Sequence, residues 1–125
     1  MVTALHGERV LRAITLRNIR TGAEWVAETS LIFLCLGGAP HTQWAEEVGI
    51  VRDAGCYIVT GSDLLKKGER PKNWKLDRAP YYMETNLPGV FAAGDVRHGS
   101  VKRCASAVGE SAMAVTFIHR YLTDG

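Results

Sequence analysis

Thr85-Asn86-Leu87-Pro88-Gly89-Val90-Phe91-Ala92-Ala93-Gly94-Asp95 decides how this chain is read. Leu87-Pro88-Gly89 signals a turn, and Val90 to Ala93 is a short apolar run of the kind that forms a buried strand. The run stops at Gly94-Asp95, which puts one carboxylate at the carboxyl edge of a sheet, where α/β proteins bind ligands. Gly94 lets the backbone bend and approach a neighbour closely. An ionised Asp95 is acceptor-only and suits a sugar or ribityl hydroxyl; the plainer alternative is that it caps a turn.

A helix is predicted next, from Ser100 to Leu122. Val101, Cys104, Ala105, Val108, Ala112, Val115, Ile118 and Leu122 recur at intervals of three and four, which predicts the buried stripe. His119 and Arg120 fall in its last turn, where cations suit the helix dipole. Ala105, Ser106, Ala107, Gly109, Ser111, Ala112 and Ala114 leave its first half without bulk, so it can lie close to a sheet or a ligand. Its free N–H groups and positive dipole end would face the same edge as Asp95.

Upstream, Val10 to Leu16 reads as a strand, Thr21-Gly22 as a turn and Glu24 to Thr29 as the returning strand of a hairpin. Leu31-Ile32-Phe33-Leu34-Cys35-Leu36 is continuous rather than alternating, which predicts a strand covered on both faces. It ends at Gly37-Gly38-Ala39-Pro40. Thr42 to Val48 is predicted to be a short helix capped by Thr42, and Gly55 to Val59 a short strand. Between Gly61 and Pro80 lie Lys66, Lys67, Arg70, Lys72, Lys75 and Arg78 against Asp63, Glu69 and Asp77. That composition fits a solvated basic loop or a site for an anionic partner.

The chain has 125 residues, 46% hydrophobic and 22% charged, with net charge +2. These values suit one globular core and argue against disorder and against a dedicated nucleic-acid surface. No apolar run is long enough to span a bilayer, and no secretory signal opens the sequence. Cys35, Cys56 and Cys104 are too widely spaced for a disulfide framework or zinc site, which points to a reducing cytoplasm. His6, His41, His98 and His119 show no metal spacing; His98 reads as a loop histidine or a proton shuttle. Cys35 and Cys56 read as structural, Cys104 as packing or a reactive thiol. Trp25, Trp44 and Trp74 read as packing residues.

Thr85 to Asp95, followed by Val101-Lys102-Arg103-Cys104-Ala105-Ser106-Ala107-Val108-Gly109-Glu110, resembles the C-terminal FAD motif of the thioredoxin reductase-like flavoproteins, which have two dinucleotide-binding domains. Leu31 to Pro40 resembles the second signature of that family, an apolar strand ending in glycine. The resemblance covers nearly the whole chain. It implies an α/β fold: the C-terminal part of a Rossmann-like FAD-binding domain, preceded by a β-hairpin or meander from the pyridine-nucleotide domain, and incomplete relative to the family fold. Residues 1–36 would be the final strands of the NAD(P)-binding domain and residues 37–125 part of the FAD-binding domain.

The resemblance further implies that Gly94 and Asp95 hold the flavin ribityl chain. Lys102, Arg103 and Cys104 would bring backbone N–H groups to the pyrimidine edge of the ring, in place of the family's Arg-Gln-Ala. Two departures stand out. Gly109-Glu110-Ser111 replaces a Gly-x-Gly, so that Ser111 is expected to crowd a cofactor or a neighbouring strand, and Ser62 to Pro80 is longer than the family's usual link. The chain holds no Gly-x-Gly-x-x-Gly for the FAD pyrophosphate or for NAD(P)H, and no Cys-x-x-Cys. In the family these lie upstream of where this sequence starts. The expectation is a parent oxidoreductase passing a hydride from NAD(P)H to FAD and then to a disulfide, a redox protein or another acceptor. The chain alone is expected to be inactive and to carry no catalytic residue. The alternative is a non-catalytic module, a homo-oligomer or strand-exchanged dimer, or a piece completed by a partner; neither nucleic acid nor membrane is expected as a partner.

Overall fold

A computed structural model describes residues 1–124. It divides at Gly37/Gly38 into two compact units.

The first unit is a three-stranded antiparallel sheet, β1 (Val2–His6), β2 (Ala13–Arg17) and β3 (Glu24–Glu28), in the order β1-β2-β3. The predicted hairpin is present, with Ala13 opposite Glu28 and Arg17 opposite Glu24. Asn18 builds its turn: its Oδ1 accepts from the N–H groups of Arg20 (2.9 Å) and Thr21 (3.2 Å), and Gly22 takes φ +75°. β1 went unread in the sequence, because Val2-Thr3-Ala4-Leu5-His6 is short and fully exposed. At the β1–β2 connection Gly7 is required, since a Cβ there would lie 1.9 Å from the Val10 carbonyl oxygen.

The Leu31–Leu36 strand does not form. The segment is irregular and its side chains are mostly exposed, Phe33 by 82% and Leu36 by 87%. A strand needs a neighbour to take up its N–H and C=O groups, and among the described residues no strand pairs with it. Cys35, read as core, is exposed for the same reason.

Every fully buried apolar side chain lies in the second unit, where Ala45, Ile50, Ile58 and Ala92 form the core with Leu87 against them. α1 (Gln43–Glu47) follows Thr42 as expected, but the Thr42 hydroxyl does not cap it and donates instead to the Cys56 carbonyl. Gly55–Val59 is a turn rather than a strand. Asp53 Oδ1 accepts from Gly55 N–H (2.8 Å) and Tyr57 N–H (2.9 Å), which forces Cys56 to φ +67° and leaves its thiol exposed. Only Ile58 bridges, to Arg52 and to Arg97. Val90–Ala93 likewise reduces to a narrow ladder, with Thr85 N–H on the Val90 carbonyl (2.8 Å) and Ala92 N–H on the Met83 carbonyl (2.9 Å).

Glu84, fully buried, organises the span before that ladder. Its carboxylate accepts from Arg78 Nη1 (2.6 Å) and Nη2 (3.1 Å), Tyr81 N–H (2.9 Å) and Gly89 N–H (2.9 Å). The Arg78 guanidinium is held protonated by Glu84 and lies 3.9 Å over the Tyr81 ring.

α2 (Cys104–Asp124) is the long helix. Its docked face is not the predicted stripe: Glu110 and Ala114 are buried and Ala107, Phe117 and Tyr121 half-buried. Phe117 stacks on Tyr81 at 5.4 Å, and Tyr121 meets Phe91 edge-on at 6.4 Å. The predicted stripe faces out, with Val108 exposed by 71% and Leu122 by 70%. No helix among the described residues is long and apolar enough to cross a membrane.

Candidate functional site

The turn at Gly94–Val96 is a single 3-10 turn beside the first half of α2. Two features fix it there. Gly94 sits at φ +77°, a backbone angle that favours glycine, and a Cβ on it would be in van der Waals contact with the Ala107 Cβ at 3.4 Å. The second feature is Glu110. Its Oε2 accepts from Gly94 N–H (2.7 Å) and from Arg97 Nε (3.1 Å), and its Oε1 accepts from Arg97 Nη2 (2.6 Å). Arg97 also donates to the His98 carbonyl (3.0 Å) and lies 5.2 Å over the Tyr82 ring.

This is a buried, forked ion pair, the geometry in which a charge pair is most directional. The Arg97 hydrogen bonds hold the Glu110 carboxyl below its ordinary value of 4.5; burial opposes the shift and the Gly94 N–H adds to it. The same contacts hold the Arg97 guanidinium protonated. The pair clamps both ends of the turn and leaves Asp95 at its tip. The Asp95 side chain is exposed and has no hydrogen-bond or ion-pair partner among the described residues.

A second tether holds the residues that follow. His98 N–H donates to the Ile58 carbonyl (2.8 Å), and Ile58 N–H to the Val96 carbonyl (2.9 Å). The His98 ring meets the Asp53 carboxylate through Nδ1 at 2.6 Å. Burial raises the Asp53 carboxyl, and the hydrogen bonds from His98, Tyr57 and Gly55 outweigh it, so that it sits below its ordinary value of 3.8. The histidine is thus a fixed group whose ring is part-exposed, not a free loop residue.

Of the residues read as cofactor-binding, Gly94 and Asp95 are brought to one turn against α2. Lys102 precedes the helix, and its ammonium lies 4.2 Å over the Tyr57 ring, whose hydroxyl donates to the Gly38 carbonyl (2.9 Å). Arg103 and Cys104 are exposed at the helix start. Ser111 is exposed and crowds no strand among the described residues; its hydroxyl donates to the Ala107 carbonyl (2.8 Å). Trp25 and Trp44 are half exposed rather than packed.

Sequence reasoning missed Arg97, Glu110 and Asp53 as the residues that shape the site. One signal was available for Glu110, the only acid between Arg103 and Arg120 in a helix otherwise made of small and apolar residues. An isolated acid on such a helix needs a buried partner. Asp53 carries only the weaker signal of an Asp-x-Gly turn.

No protein-family model matches the chain. Thioredoxin reductase from Bacillus subtilis is 30% identical over 111 residues, 89% of this chain and 29% of that protein. The Listeria monocytogenes thioredoxin reductase is 31% identical over 82% of this chain and 26% of its own length. Among solved structures, thioredoxin reductase from T. acidophilum superposes with a TM-score of 0.65 at 28% identity, over 99% of this chain and 34% of its own. The Streptococcus pyogenes thioredoxin reductase, at 24% identity, shares the fold over the whole chain with a TM-score of 0.66, and 35% of it is covered. The chain is homologous to thioredoxin reductases over most of its length, and spans about a quarter to a third of theirs.

Proposed function

We propose that this thioredoxin reductase homologue supplies part of the flavin site of an NAD(P)H-dependent oxidoreductase. The observation that supports the reading most directly is the Asp95 carboxylate, exposed and unpartnered on a turn that Glu110 clamps to α2. Gly94, at φ +77° with its missing Cβ directed at Ala107, lets the turn lie against α2 and carry Asp95 at its tip. When bound, FAD supplies the redox chemistry, taking a hydride from NAD(P)H and passing electrons to a disulfide or another acceptor.

The chain's own part is binding and orientation. Asp95 accepts hydrogen bonds from ribityl hydroxyls. Lys102 and Arg103 lead directly into the 21-residue helix that begins at Cys104, whose positive dipole end favours negative charge at the pyrimidine edge; the Arg103 N–H itself is taken by the Val101 carbonyl (2.8 Å). Lys102 adds a cation held near that helix start by Tyr57. In this reading residues 1–36 close the NAD(P)-binding domain and residues 37–125 continue a Rossmann-like FAD-binding domain. Turnover by the chain alone is not expected, because its sequence contains neither a Gly-x-Gly-x-x-Gly loop nor a Cys-x-x-Cys pair. A reducing, cytoplasmic setting suits three free thiols.

The test is a visible spectrum of the chain after incubation with FAD and desalting. A retained flavin band that Asp95→Ala weakens, by about 1–3 kcal/mol for a lost charged acceptor, supports the reading. Equal retention by Asp95→Ala contradicts the placement of the site.

A second reading has its own observation, the bare apolar face of α2 at Val108, Val115 and Leu122. It makes the chain a non-catalytic module that self-associates, or that pairs with a separate chain to complete a site. Concentration-dependent elution on size exclusion without flavin favours it. A flavin-free monomer at every concentration overturns it.

A further inference from the structure

We propose that the loop between Gly61 and Pro80 forms a docking groove for an acidic segment of a partner protein that also carries apolar side chains. The groove is open, of about 500 Å³. Its floor is apolar: Val59 and Leu64 are buried, while Val51 and Pro71 reach the surface. Its rim carries Lys66, Lys67, Arg70 and Lys72, against Asp63 and Glu69.

Charge is concentrated here. The loop holds six cations and three acids, whereas the whole chain is only +2, so the remainder is slightly acidic. Two of the six cations are already committed. Arg78 is taken up by Glu84, and Arg70 by the Leu76 carbonyl (2.8 Å) and Asp77 (3.4 Å). Lys66, Lys67, Lys72 and Lys75 have no ion-pair partner among the described residues. Their field is therefore directed outward rather than neutralised locally.

The loop is built, not merely solvated. Lys66 N–H donates to the Glu69 carbonyl (3.2 Å) and Glu69 N–H to the Lys66 carbonyl (3.0 Å), around Lys67 at φ +56° and Gly68 at φ +82°. Two positive φ values in a two-residue tip define a type I′ turn, whose first place normally goes to Asn, Asp or Gly. A lysine there holds its ammonium at the tip against a backbone preference. Further along, Arg70 is stapled to Leu76, and the Trp74 indole N–H donates to the Arg78 carbonyl (2.5 Å).

A small anion is disfavoured as the occupant. Every charged residue lining the groove is exposed, so none offers the buried, convergent polar contacts that orient a small ligand. An apolar floor under a charged rim is instead the anatomy of a protein interface. Rim lysines speed the encounter with an acidic partner, and the floor takes its apolar side chains. The surface is independent of the flavin reading, since none of its residues touches the Gly94–Asp95 turn or the start of α2.

The probe is a fluorescein-labelled peptide with leucine and phenylalanine set among aspartates and glutamates, titrated with the full chain by anisotropy. Binding is expected at low salt and should weaken as salt rises. Combined Lys66→Glu, Lys67→Glu and Lys72→Glu should weaken it by about tenfold or more. Lys67→Gly suits the turn better than lysine, so its fold should be kept while binding falls. Val51→Asn, which removes apolar surface without adding charge, should weaken binding through the floor. Equal binding by the charge-reversed chain overturns the proposal. So does equal binding of a peptide with alanine in place of leucine and phenylalanine, which would leave only an ion-exchange surface, or displacement of the peptide by inorganic phosphate at matched ionic strength.

Discussion

The two faces of α2 show opposite solutions on one helix. The face at Ala107, Glu110, Ala114, Phe117 and Tyr121 is docked, and a carboxylate lies at its centre. The face at Val108, Ala112, Val115 and Leu122 is more apolar and is bare. Apolar periodicity reports which side chains are able to be buried. What is buried within this chain is set by what lies opposite, and here that is Arg97, Tyr81 and Phe91. An ion pair with two hydrogen bonds, its carboxylate taking a third from the Gly94 N–H, holds the inside position, and the aliphatic stripe is left out.

The largest effect should come from breaking the clamp on the docked face. Glu110→Ala leaves Arg97 buried without its counter-charge and orphans the Gly94 N–H. Loss of one partner of a buried pair costs about 3–5 kcal/mol, and chemical denaturation of the second unit should shift by that amount. A change below about 1 kcal/mol would mean the pair is wet and the docked face is held by Phe117 and Tyr121 instead. The same carboxylate predicts an acid limit. Its folded value is depressed, so its stabilisation is present above its ordinary value of 4.5 and is lost as pH falls through the lower folded value. Asp53, depressed below 3.8, adds a loss in the same direction as pH falls. Glu110→Gln should therefore flatten the acid limb of stability against pH, a result readable by circular dichroism without any cofactor.

Next in size is Gly94→Ala. At φ +77° an L side chain is strained, while the new Cβ would only come into ordinary contact with Ala107 at 3.4 Å. A cost of about 1–3 kcal/mol follows, together with weaker flavin retention, because Asp95 rides on the same turn. Gly109→Ala is the internal control, since a Cβ there meets nothing within 4 Å. Equal behaviour of the two variants would remove the left-handed backbone of Gly94 from the account of the site. Smaller again is the exposed Arg17–Glu24 pair of the first unit at 2.7 Å. Its removal by Arg17→Ala should cost about 0–1 kcal/mol, with the hairpin register kept by its turn.

The comparison also marks how far the sequence could be read. The β2–β3 hairpin was legible because Asn18, Thr21 and Gly22 carry their own turn chemistry, which needs no distant partner. The Gly94 turn and the long helix were legible for the same local reasons. Leu31–Leu36, Gly55–Val59 and the buried side of α2 were not, because each depends on a neighbour that local pattern does not specify. Leu31–Leu36 has the composition of a sandwiched strand with no strand beside it, and Asp53 diverts Gly55–Val59 into a turn. Within the site Asp95 stood out by position. Glu110 and Arg97, which hold it there, are separated by 13 residues; Glu110 is marked only by its isolation among small and apolar residues, and Arg97 looks like a surface charge when read alone.

The smallest effect on stability is expected on the bare face, and there the sign is informative. Val108→Gln, Val115→Gln and Leu122→Gln change side chains that are more than half exposed, so each should alter unfolding by no more than about 0.5 kcal/mol. Their combined effect on self-association should be far larger than on folding, because a continuous apolar stripe is what a second surface would cover. Elution that becomes monomeric in the triple variant, with unfolding unchanged, ties association to this face. Elution unchanged from a self-associating parent would move the contact elsewhere, with Leu31–Leu36 the next apolar surface to test. A triple variant that loses stability by several kcal/mol would show that the stripe is already covered in solution, and that the contrast between the two faces of α2 belongs to the isolated chain.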